Sequence, residues 1–346
     1  MRAFRRQIVL ASTVAALVFA GIPAFAGPSI TITQLSLLPG GNSSSATAIN
    51  VHGTIVGSAD TPTSNSMAVK WNAAGAITNL GTVAGSTWSE ADGINGAGTV
   101  VGYAILASGD DEAVKWSPSG VIATLPVLHA GDLSFAAAVN DNGAIVGEEV
   151  FAGLGQTHVI RWNPNGTITD LGTGTFNRGA ATTINDRGTT SGGSSTVDQN
   201  GARAMRWAHN GTATVLPQLP GAAEQLGIAS DINGLGVLVG LSGIAVRRQY
   251  EAVTWSQQGA ITALGQLPGG TDSAAVGIND NGVIVGDGLD VNSVGQAIRW
   301  SAGGAMTVLP TIAGSTDPTP AGINDNGAIA GTVRLASGEP VAVRWK

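Results

Sequence analysis

One asparagine recurs seven times along this 346-residue chain, at Asn50, Asn95, Asn140, Asn185, Asn233, Asn279 and Asn324, in steps of 45–48 residues. A glycine follows three residues after each (Gly53 in the first copy, Gly282 in the sixth), and a second glycine lies four residues further on (Gly57, Gly286). A tryptophan closes each unit 21 or 22 residues after its asparagine: Trp71, Trp116, Trp162, Trp207, Trp255, Trp300 and Trp345. Self-similarity at such a period marks a repeat architecture, in which each unit buries its apolar faces only against its neighbours.

Within a unit the pattern reads as four short strands. In the sixth copy these are Ala275–Asn279, Val283–Gly286, Ala297–Trp300 and Ala305–Leu309, rich in Val, Ile and Thr and separated by Gly, Asn and Asp turns. The Asp-Asn-Gly turn supplies in Gly282 the residue that takes a positive φ most cheaply in a tight hairpin. No stretch of about twelve residues after the N-terminus keeps a helical period. Four strands in some 45 residues is the size of a propeller blade. The last unit stops at Arg344-Trp345-Lys346 without a fourth strand, whereas a spare one, Ile30–Leu35, precedes the first unit. The expected fold is therefore all-β: a seven-bladed β-propeller with four antiparallel strands per blade, closed into a ring by the N-terminal strand. Closure removes the open sheet edge that would otherwise recruit other chains.

Composition excludes several classes. With 43% hydrophobic residues the chain has material for a core, and 51 glycines without a three-residue period are not collagen. There is no cysteine, so disulfide and thiolate-metal chemistry are absent. A net charge of −7 argues against nucleic acid as a partner. The first 26 residues read as a signal peptide: Arg2, Arg5 and Arg6, an uncharged stretch from Ile8 to Ile22, then Ala24-Phe25-Ala26 before the cut. The remainder, 27–346, reads as one propeller domain in a secreted, extracellular or periplasmic protein, monomeric and without a membrane anchor once the leader is removed.

Units of the form Ile-Asn-x-x-Gly-x-Ile-Val-Gly, followed by Ala-x-x-Trp and Ile-Thr-x-Leu-Gly, resemble the HAF repeats of bacterial extracellular repeat proteins. Residues Ile278 to Gly286 with Ala297 to Trp300 carry the likeness, which extends over essentially 30–346. At the places of the His-Ala-Phe triplet this chain has Met67-Ala68-Val69, Glu112-Ala113-Val114, Glu251-Ala252-Val253 and Gln296-Ala297-Ile298. The resemblance implies a β-propeller-like extracellular protein and brings no established reaction with it.

Functional residues are sought where the copies differ. The tryptophans read as core, and the Asn-Asp-Asn-Gly turns as turn chemistry, since one carboxylate per turn is too few for calcium. The loops between the second and third strands and between successive units are long and dissimilar, and most of the 23 acidic residues fall in or beside them. Variable loops on a rigid scaffold are where binding concentrates. Trp88, Tyr103, Asp110, Asp111, Glu112, Phe151 and Tyr250 are the candidate ligand-binding residues, rings and carboxylates suited to a carbohydrate or a cationic surface partner. The four histidines show no metal-ligand spacing, and neither a nucleophile elbow nor a phosphate loop is present. No catalytic residue, metal site or cofactor is expected. The reading is a binding module that acts through an acidic loop face; the alternative is a polysaccharide-directed hydrolase or lyase working at the channel mouth.

Overall fold

The computed structural model describes residues 29–346 apart from 64, 152–154, 196–200 and 247. The leader read over residues 1–26 lies outside them. The described chain is all-β and contains no helix. Its strands form five four-stranded antiparallel sheets and one sheet of eight strands, in which two four-stranded meanders are joined by a single parallel pair, Thr157 with Arg178. The sixth copy shows the common plan. Strands Ser273–Ile278, Ile284–Leu289, Gly295–Trp300 and Met306–Val308 pair in sequence, with Ile278 opposite Ile284 and Trp300 opposite Met306. One sheet joins the two ends of the described chain: Ile32–Gln34 pairs with Pro340–Trp345, which pairs in turn with Ile329–Arg334 and Thr316–Ile323.

The repeated asparagine closes its own turn and also links one copy to the next. Asn50 Oδ1 accepts the backbone N–H groups of His52 and Thr54 inside its own turn, while Gly53 takes φ 77°. The Asn50 amide then donates to the carbonyl of Asn95, and the same bond runs from Asn95 to Asn140 and onward to Asn185, Asn233, Asn279 and Asn324. Asn324 donates back to Asn50 at 3.0 Å, so the seven buried amides make a circuit. Six of the seven tryptophans are fully buried and Trp162 nearly so, each between one sheet and the next. Five indole N–H groups donate to a backbone carbonyl about 36 residues upstream, Trp71 to Ser36 and Trp345 to Pro310 among them. The core is divided accordingly into clusters shared by adjacent sheets. In one of them Leu35, Ala46 and Trp71 pack with Ala330 and Ala342 from the other end of the chain.

The basic residue ahead of the tryptophan also links sheets. Arg161 donates to the His209 carbonyl, Arg206 to that of Gln257 and Arg344 to that of Ala73. The acidic turn residues reach across in the opposite sense: Asp141 accepts from Gly96 N–H, Asp186 from Asp141, Asp280 from Gly234 and Asp325 from Asp280. These carboxylates therefore cap the preceding copy's turn instead of closing their own.

Candidate functional site

Every first strand carries a bulge one residue after a buried small position, as between Ala46 and Ala48 or between Ala275 and Gly277. The extra residues, Thr47, Asp92, Ala137, Thr182, Ser230, Val276 and Ala321, all line one cavity of about 190 Å³ on which the first strands converge. Asp92 is the one charged residue among them. It has no hydrogen bond or ion pair among the described residues, and burial, with a smaller contribution from Glu90, pushes its carboxyl up to about 8. Asp231 lines the same cavity, and burial raises it to about 6, but the N–H groups of Ile232 and Ile278 hold its two oxygens at 2.8 and 2.9 Å. Asp231 is thus a link between adjacent sheets, and the two carboxylates do not form a free acid–base pair. Nothing local in the sequence distinguishes Asp92, because the bulge that turns it inward is invisible to an alternating pattern.

The position of Asp92 has a pH consequence. Its folded-state pKa lies above the unfolded value of 3.8, so the folded chain binds the extra proton and loses stability as pH rises from about 4 to about 8. Asp92→Asn removes that loss. It is expected to match the parent near pH 4 and to exceed it by about 2 kcal/mol at pH 8, a share of the roughly 1.4 kcal/mol per pH unit that the shift implies, reduced for solvent in the cavity. Melting curves across this range test the assignment, and a pH-independent difference refutes it.

The copies differ most at the residue following the second repeat glycine: Ser58, Tyr103, Glu148, Gly193, Leu241, Asp287 and Thr332. Side chains in this register meet the first strand of the next copy, as Tyr103 meets Phe135 and Thr332 meets Ser45. The fourth copy has only Gly193 here, opposite Ala180, and the space left open is a cavity of about 410 Å³. Glu148 and Thr157 of the third copy, Arg178 of the fourth and Ile228 of the fifth line it. Ser194 is 2% exposed, and its hydroxyl lies on the opposite strand face from Gly193, beside Gly179, with no hydrogen-bond partner among the described residues. Burial raises the Glu148 carboxyl above its ordinary value. An aromatic row leads toward this cavity. Trp88 lies 5.0 Å from Tyr103, Tyr103 lies 5.0 Å from Phe135, and Phe135 is the cross-strand partner of Glu148. The Tyr103 hydroxyl donates to Glu90 at 3.4 Å, and burial together with nearby Glu90, Asp92 and Asp111 holds the phenol above its usual range.

The residues singled out from sequence are divided among three places. Trp88, Tyr103 and the Asp110-Asp111-Glu112 hairpin belong to the second copy, and burial raises the Asp111 and Glu112 carboxyls, the former with help from Asp110. Phe151 belongs to the third copy and is buried, with its ring against His129 and His158, so it is a packing residue and not an open platform. Tyr250 belongs to the fifth, where its N–H donates to Asp272 and burial raises its phenol. Trp88, Tyr103 and Tyr250 are half-buried. Spacing along the chain offers no metal-ligand pattern, yet the fold gathers His129, Asp132 and Glu149 with their ligand atoms within 4.8 Å of one another.

No protein-family model and no curated protein matches the chain. Solved structures do. A catalytically inactive virginiamycin B lyase from Staphylococcus aureus with quinupristin is similar at TM-score 0.56 and 13% identity, covering 91% of this chain and 99% of that one. Puromycin hydrolase is similar at 0.58 and 13%, covering 86% of this chain and 53% of that one. TolB from Acinetobacter baumannii is similar at 0.52 and 11%, covering 77% and 65%. At such identities the likeness establishes the propeller-like fold and nothing of the chemistry.

Proposed function

We propose that this chain is an exported seven-bladed β-propeller of the HAF-repeat kind, closed by its N-terminal strand, that binds a saccharide on the face bearing its dissimilar loops. Seven blades and closure are supported by the amide circuit that returns from Asn324 to Asn50 and by the pairing of Ile32 with Trp345. Export is supported by the leader-like first 26 residues. The observation that carries the binding reading is the 410 Å³ cavity in the fourth blade, left open at Gly193 and lined by Glu148, Thr157 and Arg178. A cavity of this size that is mostly apolar, with a few convergent polar groups, has the character of a small-molecule site. The row Trp88–Tyr103–Phe135 supplies ring faces for sugar stacking, and Glu148, Thr157 and Arg178 supply hydrogen-bonding partners for hydroxyls.

Gly193→Leu tests this directly. A Cβ at Gly193 meets only the Arg203 carbonyl, at an ordinary 3.6 Å, and the fifth blade already carries Leu241 at the equivalent place. The variant should fold like the parent while filling the cavity, and should lower affinity for the best ligand on a glycan array at least tenfold. Unchanged affinity removes the cavity from the site. Binding to cationic peptides with no glycan bound points to the other partner class, and shortened glycan products point to a hydrolase or lyase.

A further inference from the structure

We infer that His129, Asp132 and Glu149 form a binding site for a divalent transition-metal ion of the zinc class on the loop face of the third blade. His129 and Asp132 stand on the turn that enters strand Leu133–Val139, and Glu149 stands on the neighbouring strand Ile145–Phe151. His129 Nδ1 lies 3.2 Å from Asp132 Oδ2, and the ligand atoms of all three residues lie within 4.8 Å of one another. Three ligands bound to one ion at roughly 2.0–2.2 Å sit about 3.3–3.6 Å apart in tetrahedral geometry, so small side-chain adjustments bring these three onto a common centre.

The burial of the carboxylates is the second observation. Glu149 is fully buried and the Asp132 side chain is 5% exposed, so two acids have been taken out of water side by side. Such a pair is costly unless a shared proton or a positive charge compensates it, and here the two carboxyls hydrogen-bond to each other while His129 faces Asp132, a set in which a metal ion can take the proton's place. The scaffold does not require an acid at this place: the equivalent residues of the other copies are Ala59, Ala104, Ser194, Ser242, Gly288 and Val333. The carboxylate is also aimed. The Leu128 N–H donates to both Glu149 oxygens, at 2.9 and 3.1 Å, and the His129 N–H donates to one of them at 3.3 Å. Oriented ligands of this kind are typical of working metal centres.

The donor set indicates which ion. One imidazole with two carboxylates suits zinc-class ions better than calcium or magnesium, which prefer oxygen alone. Phe151 packs edge-on against the His129 ring at 5.2 Å and steadies it. The His129 side chain is 67% exposed, so the ion can enter from solvent and keep open coordination positions for water or a ligand group.

The test uses the full untagged chain after treatment with a chelator. Titration with Zn²⁺ is expected to show one equivalent bound and a rise in melting temperature. His129→Ala removes a largely exposed side chain, so the metal-free variant should melt with the parent while its Zn²⁺ affinity falls at least 100-fold. Glu149→Gln should also lose affinity, and His129→Ala remains decisive if that variant folds poorly. A parent chain that binds no Zn²⁺ overturns the proposal. So does a Zn²⁺-induced shift that survives in His129→Ala, which would place the ion elsewhere, for example at His158 and Asp170, whose Nδ1 and Oδ2 are 2.8 Å apart.

Discussion

Deletion of residues 30–38 is expected to destabilise the protein by about 5 kcal/mol or more and to promote its aggregation. The segment is short, but its contacts are spread over both ends of the chain. Ile32, Thr33 and Gln34 pair with Trp345, Arg344 and Val343, and Thr31 and Lys346 exchange two backbone hydrogen bonds at 2.8 and 2.9 Å. Leu35 and Leu38 are buried in a cluster with Trp71, and the Ser36 carbonyl accepts the Trp71 indole N–H at 2.7 Å. Two buried leucines at roughly 1.5–3 kcal/mol each already account for most of the expected loss. The deletion also strips the partner from Pro340–Trp345, leaving an open edge of the kind that pairs with other chains. Thermal unfolding followed together with light scattering checks both effects. A truncated chain that melts with the parent would remove the ground for closure by the N-terminal strand.

Gly286→Ala is expected to be the most damaging single-methyl substitution in its unit, costing about 3 kcal/mol or more and lowering the yield of folded protein. A Cβ at this position would lie 1.9 Å from the Ala274 carbonyl oxygen and 2.9 Å from the Ala275 Cα. Both are backbone atoms of a central ladder, so neither can move aside as a flexible side chain does. The glycine stands opposite the bulge of the first strand, where the two backbones come unusually close, and Gly57, Gly102 and Gly147 show the same approach at 1.9–2.0 Å. Gly282→Ala makes the useful contrast. There the added methyl meets only Ala302, its Cβ at 3.5 Å and its Cα at 3.9 Å, and its cost comes from holding alanine at φ 74°, about 1 kcal/mol. Denaturant unfolding of both variants should rank Gly286→Ala well below Gly282→Ala; the reverse order would mean that backbone conformation, and not close approach, accounts for the second repeat glycine.

Much of this architecture is legible in the chain because the repeat states it seven times. Asn-x-x-Gly specifies a hairpin through chemistry confined to four residues, and Trp with Ala three places before it marks the strand that lies between sheets. The site was less legible. Phe151 and Tyr103 look alike from their loops, yet one is enclosed by two histidines and the other lies in a row with Trp88 and Phe135. The cavity beside Gly193 leaves no trace in the sequence because it results from a missing side chain, and one more glycine draws no notice among 51. His129, Asp132 and Glu149 form no motif because 16 residues and a hairpin separate the last two.

By itself, then, the sequence determined the unit: its four strands, its turns and the residues that fill its core. Those features arise from bonds and packing preferences within a few residues, repeated until they cannot be mistaken. Only the tertiary structure decided which units meet and what their side chains do on meeting. The Asn50 amide reaches the Asn95 carbonyl, Asp141 caps the Gly96 N–H, and Asp92 turns into a cavity shared by all the first strands. Contacts of this kind span 45 residues or more and depend on how twisted sheets stack, a geometry that no local pattern of residues encodes.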